Sequence, residues 1–312
     1  MKIGLDIMGG DYAPKATVLG AIAAFKNLEP HQKLVLIGDR EIALPFFEEQ
    51  SFNPDHFEFV HTKEVIGMGE HPTKAIVQKP NSSISVGFQM LKEGKIDSFS
   101  SAGNTGAMLV GAMFSVKTIP GVIRPAISSI VPKLKSGYGI MLDVGANADC
   151  KPDTLLQFGV LGKLFAENIL GISNPKVGLI NIGEEEEKGN LLMLATHPIM
   201  KDTNMFNFIG NIEGRDLFDD KADVVVCDGF TGNVMLKLAE TFYVLTQKKG
   251  FKDEFFDRFN YEQYGGSPIL GVNAPVIIGH GISTPEAIKN MILLSRSMIL
   301  TKLVQKITSA FK

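Results

Sequence analysis

Short runs of Val, Ile and Leu recur along the chain, and between them apolar residues fall at helical spacing. The runs Lys2–Ile7, Lys33–Ile37, Phe57–His61, Ser98–Ser101, Ile127–Val131, Gly139–Asp143, Lys176–Asn181, Asp223–Cys227 and Pro275–Ile278 predict strands. Most lack apolar–polar alternation, the pattern of strands covered on both faces. Helices are predicted over Pro14–Asn27, Ser82–Glu93, Thr105–Val116, Asp153–Glu167 and Thr231–Leu245. The last helix is expected to start at Thr284, with Pro285 in its first turn. Ile288, Ile292, Ile299, Leu303 and Ile307 form its apolar face. This alternation predicts an α/β fold, a parallel sheet with helices on both sides. No repeat or low-complexity segment breaks the pattern. Gly137 and Gly265-Gly266-Ser267-Pro268 are its best breaks, and neither has the composition of a linker. The expectation is a single domain over 1–312, with a subsidiary helical segment at 238–264.

Composition narrows the function classes. The 312 residues carry a formal net charge of -3, which offers no basic field for nucleic acid. Cys150 and Cys227 make neither a disulfide framework nor a zinc spacing, which suits a reduced, cytoplasmic setting. The first strand lacks the long apolar stretch of a signal peptide, and no apolar run is long enough to span a bilayer. The six histidines do not cluster and no H-E-x-x-H occurs, so a metal site has little support.

Two strand-to-helix corners share a G-x-T-G spacing. One is Ser101-Ala102-Gly103-Asn104-Thr105-Gly106, and the other is Asp228-Gly229-Phe230-Thr231-Gly232-Asn233. Glycine admits close approach of a ligand to backbone, free N–H groups at a helix start favour an anion, and threonine adds a hydroxyl donor. A plain helix cap with a tight turn would look the same. Neither corner is a P-loop or a dinucleotide fingerprint. Polar residues also end other apolar strands: Asp6 before Met8-Gly9-Gly10-Asp11, Asp143 before Gly145-Ala146-Asn147, Asn181 before Gly183, and Asn211 before Glu213-Gly214-Arg215. Glu184–Glu187 suits the acidic start of a helix.

These corners, together with Met8-Gly9-Gly10-Asp11-Tyr12-Ala13-Pro14, Arg124-Pro125-Ala126, Leu142-Asp143-Val144-Gly145-Ala146-Asn147, Asn181-Ile182-Gly183-Glu184 and Asn211-Ile212-Glu213-Gly214, resemble the bacterial phosphate acyltransferases of phospholipid synthesis. The matches run in order from the first strand to His280-Gly281. The resemblance implies a three-layer α/β/α fold with a mostly parallel sheet, akin to phosphotransacetylases and isopropylmalate-type dehydrogenases. It implies transfer of a long-chain acyl group from acyl carrier protein to phosphate, without cofactor or metal. It further implies a homodimer, contact with the inner membrane face, and hand-over of acyl phosphate to a glycerol-3-phosphate acyltransferase. Two segments depart from the family pattern. Glu184–Glu187 is more acidic, and Thr246–Tyr264 is shorter than the family's pair of helices with an apolar tip. In that segment Phe251, Phe255 and Phe259 share one predicted helical face, open to core, dimer or lipid contact.

The residues expected to hold phosphate or acyl phosphate are Ser101, Gly103, Asn104, Thr105, Gly106, Gly229, Thr231, Gly232 and Asn233. Asp228 is expected to orient the attacking oxygen or take its proton, with Arg215 as charge partner. Asn104, Asn181 or Asn233 is expected to donate to the oxyanion. A phosphotransacylase acting on short-chain acyl-CoA and a non-enzymatic adaptor binding acyl carrier protein at a membrane are the competing readings.

Overall fold

The computed structural model describes residues 1–312, apart from the side chain of Tyr261. The chain forms two compact units, residues Met1–Lys117 with Tyr261–Leu300, and Thr118–Asn260 with Thr301–Lys312. The first unit begins with β1 (Lys2–Asp6), α1 (Lys15–Phe25), β2 (Lys33–Gly38), α2 (Arg40–Glu49) and β3 (Glu58–His61). It continues with α3 (Pro72–Gln78), α4 (Ser83–Lys92), β4 (Ser98–Ser101) and α5 (Thr105–Gly111). The second unit holds β5 (Ala126–Pro132), β6 (Tyr138–Leu142), α6 (Pro152–Asn168), β7 (Lys176–Ile180), α7 (Leu191–Lys201) and β8 (Asn207–Ile212). It adds β9 (Val224–Val226), α8 (Gly229–Lys248) and α9 (Glu254–Asp257). The chain then returns to the first unit with β10 (Ser267–Leu270), β11 (Val276–Ile278) and α10 (Pro285–Leu300), and ends in the second with α11 (Leu303–Ala310).

Within the first unit the strands lie in the order β3-β2-β1-β4-β11-β10, all parallel except the β10–β11 pair. Within the second the order is β5-β6-β9-β7-β8, with β5 antiparallel to β6. The central strands are buried on both faces: Ile3 and Leu5 of β1, and Val224, Val225 and Val226 of β9, have almost no exposed surface. That is why they carry no polar alternation. The mostly parallel α/β character matches the expectation.

Some elements escape the pattern. Strand β8 contains Asn207, Gly210 and Asn211, which break its apolar run. Strand β10 follows two glycines with positive φ and contains Pro268, so it resembles a turn. Helix α2 holds Pro45 inside its span. The final helix is two helices, because Lys302 takes a left-handed φ of 53° and separates α10 from α11. Leu303 and Ile307 are then buried within the second unit, so the chain turns where its apolar face changes partner. Glu184–Glu187 lies in a loop rather than at a helix start. Helix α7 begins at Leu191, capped by the Asn190 side chain on the Met193 N–H, and Glu184 and Glu186 pair with Lys221 and Lys201, each at 2.6 Å. Helix α9 is a single turn, so Phe251 lies outside it and is exposed. Phe259 is buried, its ring 4.9 Å edge-on from Phe218, and Phe255 meets Phe218 at 6.0 Å. Two of the three rings therefore pack inside their own unit.

Close helix packing in the first unit depends on Gly20. A Cβ there would lie 2.5 Å from Cβ of Ile288 and 2.8 Å from the Pro285 oxygen. Gly20→Ala is expected to lower stability by about 1–3 kcal/mol through overpacking. Gly69→Ala, where a Cβ meets nothing within 4 Å, is the control and should shift the denaturant midpoint little.

Candidate active site

The corner at the carboxyl ends of β6 and β9 is built around Asp143. Its carboxylate is buried and accepts five hydrogen bonds. Oδ1 takes the N–H groups of Ile127 (3.1 Å), Gly145 (3.0 Å) and Ala146 (3.0 Å). Oδ2 takes the Asn147 N–H (2.6 Å) and Asn147 Nδ2 (2.8 Å). An acid ending an apolar strand thus draws the following backbone into a tight loop. Burial pushes the Asp143 carboxyl above the ordinary carboxylate range, and the Ala146, Asn147 and Gly145 donors offset part of that rise.

Helix α8 starts against this loop. The Gly229 N–H donates to the Asn147 oxygen at 2.7 Å. A Cβ on Gly232 would sit 2.0 Å from the Asp143 backbone oxygen, so only glycine lets the helix approach. Asp228 is the N-cap: Oδ1 accepts from the Thr231 N–H (2.8 Å) and Oδ2 from the Thr231 hydroxyl (2.9 Å). Asn233 Nδ2 donates to the Val144 oxygen at 3.0 Å. Between loop and helix lies an open cleft of about 320 Å³, lined by Gly145, Ala148, Gly229, Phe230, Asn233 and Val234. The positive end of the α8 dipole, the Phe230 N–H that Asp228 does not cap, and the second N–H of the exposed Asn233 amide give this cleft its capacity for an anion.

Two thiols lie near these carboxylates. Burial pushes the Cys150 thiol up to about 12, with Asp143 and Asp228 adding to the rise. Cys227 is fully buried and shifted upward by the same causes, burial first. Neither is poised as a thiolate nucleophile.

The corner of the first unit uses a similar device. Asp6, buried at the end of β1, accepts from the Met8 N–H (2.9 Å) and the Ser101 hydroxyl (2.6 Å), and the Ser101 oxygen accepts from the Gly103 N–H (2.9 Å). Burial raises the Asp6 carboxyl as well. Helix α5 begins under a strap of residues 67–72. Asn104 Oδ1 caps the Ala107 N–H, while its Nδ2 reaches the backbone oxygens of Gly67, Met68 and Glu70 at 3.0–3.1 Å. A Cβ on Gly106 would lie 2.3 Å from Pro72 Cγ.

A family model described as fatty acid synthesis protein matches residues 1–306. The chain belongs to this family. It is 43% identical to the phosphate acyltransferase of Dictyoglomus turgidum, over 98% of this chain and 96% of that protein. It is 42% identical to the phosphate acyltransferase of Clostridioides difficile, over 94% and 91%. Among solved structures, a phosphotransacetylase from Streptococcus pyogenes superposes with a TM-score of 0.70 at 16% identity, over 96% of this chain and 94% of that one. That likeness concerns the fold. The family assignment makes the chain an acyltransferase.

In this family member the residues singled out from sequence belong to corners of both units. Gly229, Thr231, Gly232, Asn233 and Asp228 form the α8 corner. Ser101, Gly103, Asn104, Thr105 and Gly106 form the corner of the other unit. The Asn104 amide is fully engaged by its three carbonyl partners and has no N–H left for an oxyanion. Asn181 Nδ2 donates to the Lys188 oxygen at 3.0 Å and its Oδ1 accepts from the Ile182 N–H, so it shapes its own loop. The Arg215 side chain is 73% exposed and pairs with Glu213 at 2.6 Å, not with Asp228. The Thr231 hydroxyl faces Asp228 rather than open cleft. Asp143 and Asn147, which organise the cleft, stood in the sequence only as polar residues after a strand. The available signal was an acid ending an apolar strand with glycine two residues on.

Asp143→Ala leaves five donors without their acceptor in a buried corner and is expected to cost roughly 3 kcal/mol or more. Asp143→Asn keeps an acceptor oxygen and should cost less. Chemical denaturation of the two variants measures the difference.

Proposed function

We propose that the chain transfers a long-chain acyl group from an acyl carrier protein thioester to inorganic phosphate, and that the α8 cleft holds the phosphate. The observation that carries this reading is the cleft itself. It combines a helix start, a glycine-lined backbone and a spare amide N–H at the carboxyl ends of parallel strands, where α/β sheets bind ligands. Membership of an acyltransferase family supplies the chemistry, and the names of the curated relatives supply phosphate as acceptor.

Phosphate is a modest nucleophile that needs positioning more than covalent help. In this reading one phosphate oxygen attacks the thioester carbonyl, a tetrahedral oxyanion forms, and the thiol leaves as acyl phosphate is completed. The carboxylate oxygens of Asp228 have lone pairs beyond those used by Thr231, so the group orients the phosphate hydroxyl or takes its proton. The spare Asn233 N–H donates to phosphate or oxyanion. Attack is direct, because both thiols are held protonated by burial and nothing else in the cleft is a prepared nucleophile. Purified protein given acyl-[acyl carrier protein] should release free carrier thiol only when phosphate is added. Release without phosphate, or none with it, would refute the reading. A homodimer belongs to the same proposal, and light scattering on the purified chain tests it.

Asn233→Ala removes one donor from the cleft wall. The phosphate KM should rise roughly tenfold or more, the equivalent of about 1–3 kcal/mol. An unchanged phosphate KM in the folded variant moves the phosphate elsewhere.

Cys150→Ser and Cys227→Ser should both keep substantial turnover. Mass spectrometry after mixing enzyme with acyl donor alone should find no acylated protein. A trapped acyl-enzyme with ping-pong kinetics would overturn direct attack.

A further inference from the structure

Phosphate held beside the Asp228 carboxylate needs a cation, since like charges repel. The six residues lining the α8 cleft include none. The sheet brings one to the same edge of the second unit. Strand β5 runs antiparallel to β6, with Ser128 opposite Leu142, so its start rather than its end lies at the carboxyl end of β6. Arg124 precedes that start, separated from Ala126 by the buried Pro125.

The neighbours of Arg124 are tied to the cleft loop. Asn147 Nδ2 donates to the Pro125 oxygen at 2.8 Å, and the Asn147 oxygen accepts from the Gly229 N–H at 2.7 Å. Asn147 is thus clamped between the residue after Arg124 and the first residue of α8. The Ile127 N–H donates to Asp143, and the Ile127 oxygen accepts from the Val144 N–H at 2.9 Å, which fixes the start of β5 against the same loop. The Cys150 thiol registers both sides. Burial is the main cause of its upward shift, Asp143 and Asp228 add to it, and the Gly229 N–H and the Arg124 charge oppose it.

The arginines of the second unit differ in how far they are committed. Arg215 pairs with Glu213, and Arg258 donates to the Lys133 oxygen at 2.7 Å. Arg124 is exposed, and its guanidinium makes neither an ion pair nor a hydrogen bond among the described residues. A guanidinium presents a planar fork of donors that fits phosphate with two parallel bonds.

We infer that Arg124 is the cation that binds phosphate at the α8 cleft, the part expected of Arg215 from sequence. The inference rests on the acyl-transfer reading above and adds a binding residue to it. An arginine on the acceptor acts on phosphate and not on the thioester. Its loss therefore raises the phosphate KM and leaves the donor KM in place.

The test has two arms. In the first, the unaltered full chain is treated with phenylglyoxal, which modifies accessible guanidinium groups, and the peptide carrying Arg124 is followed by mass spectrometry. Inorganic phosphate should suppress modification there, and chloride at equal ionic strength should not. Equal modification with and without phosphate overturns the assignment, as does equal protection by chloride. In the second, Arg124→Ala and Arg124→Lys are assayed with an acyl carrier protein thioester. The phosphate KM should rise roughly tenfold or more in Arg124→Ala, the loss expected for a charge-assisted hydrogen bond to an anion, and Arg124→Lys should recover part of it. An unchanged phosphate KM in folded Arg124→Ala overturns the inference. So does a higher donor KM with the phosphate KM intact, which would put Arg124 on the carrier protein's side. If the parent chain shows no phosphate-dependent transfer, the functional proposal fails on its own, and the labelling arm still decides whether Arg124 meets phosphate.

Discussion

A carboxylate buried at the end of a parallel strand is costly unless every oxygen finds donors. In the second unit Asp143 meets that demand with backbone. Four of its five hydrogen bonds fold residues 143–147 into a loop whose N–H groups turn inward, and the fifth ties it to Ile127. The loop then offers outward carbonyls, Val144 to Asn233 and Asn147 to Gly229, and these fix the start of α8. Gly232 completes the arrangement, because any side chain there would displace helix from loop. The cleft is the space left between two elements locked in this way. Asp6 does the equivalent in the first unit, through Met8 and through Ser101 to Gly103.

This constraint decides which groups remain for chemistry. Glycine-rich corners resemble anion cradles because their N–H groups are numerous, yet number alone is a poor guide. At the Asp143 loop the N–H groups of Gly145, Ala146 and Asn147 already serve an internal carboxylate. At the Asn104 corner the side-chain amide holds the strap of residues 67–72. What remains open at the cleft is narrower: the start of α8 at Phe230 and the second N–H of Asn233. A site of this kind works by positioning, which suits the acyl transfer to phosphate proposed above.

The strand and helix pattern was legible in the sequence wherever burial on both faces produced unbroken apolar runs, as in β1, β2 and β9. It was not legible where local rules were overridden. Pro45 sits inside α2, Pro268 inside β10, and Asn207, Gly210 and Asn211 inside β8, all held by tertiary contacts that no window of sequence contains. The family motifs include glycines at 229 and 232, where a Cβ would strike the Asp143–Asn147 loop, a steric cause that leaves a mark in sequence.

By itself the sequence determined the alternating α/β class, the family, and the glycines that the corners require. It did so because helix and strand periodicity and glycine requirements are local. Only the tertiary structure decided which polar groups are free. Asn104 and Asn233 are the same residue type in similar corners, but one amide meets three carbonyls and the other meets one. Arg215 follows a strand end as the corners do, yet its guanidinium pairs with its neighbour Glu213 and points to solvent. Hydrogen-bond saturation depends on residues far apart in the chain, and that is the information a sequence does not carry.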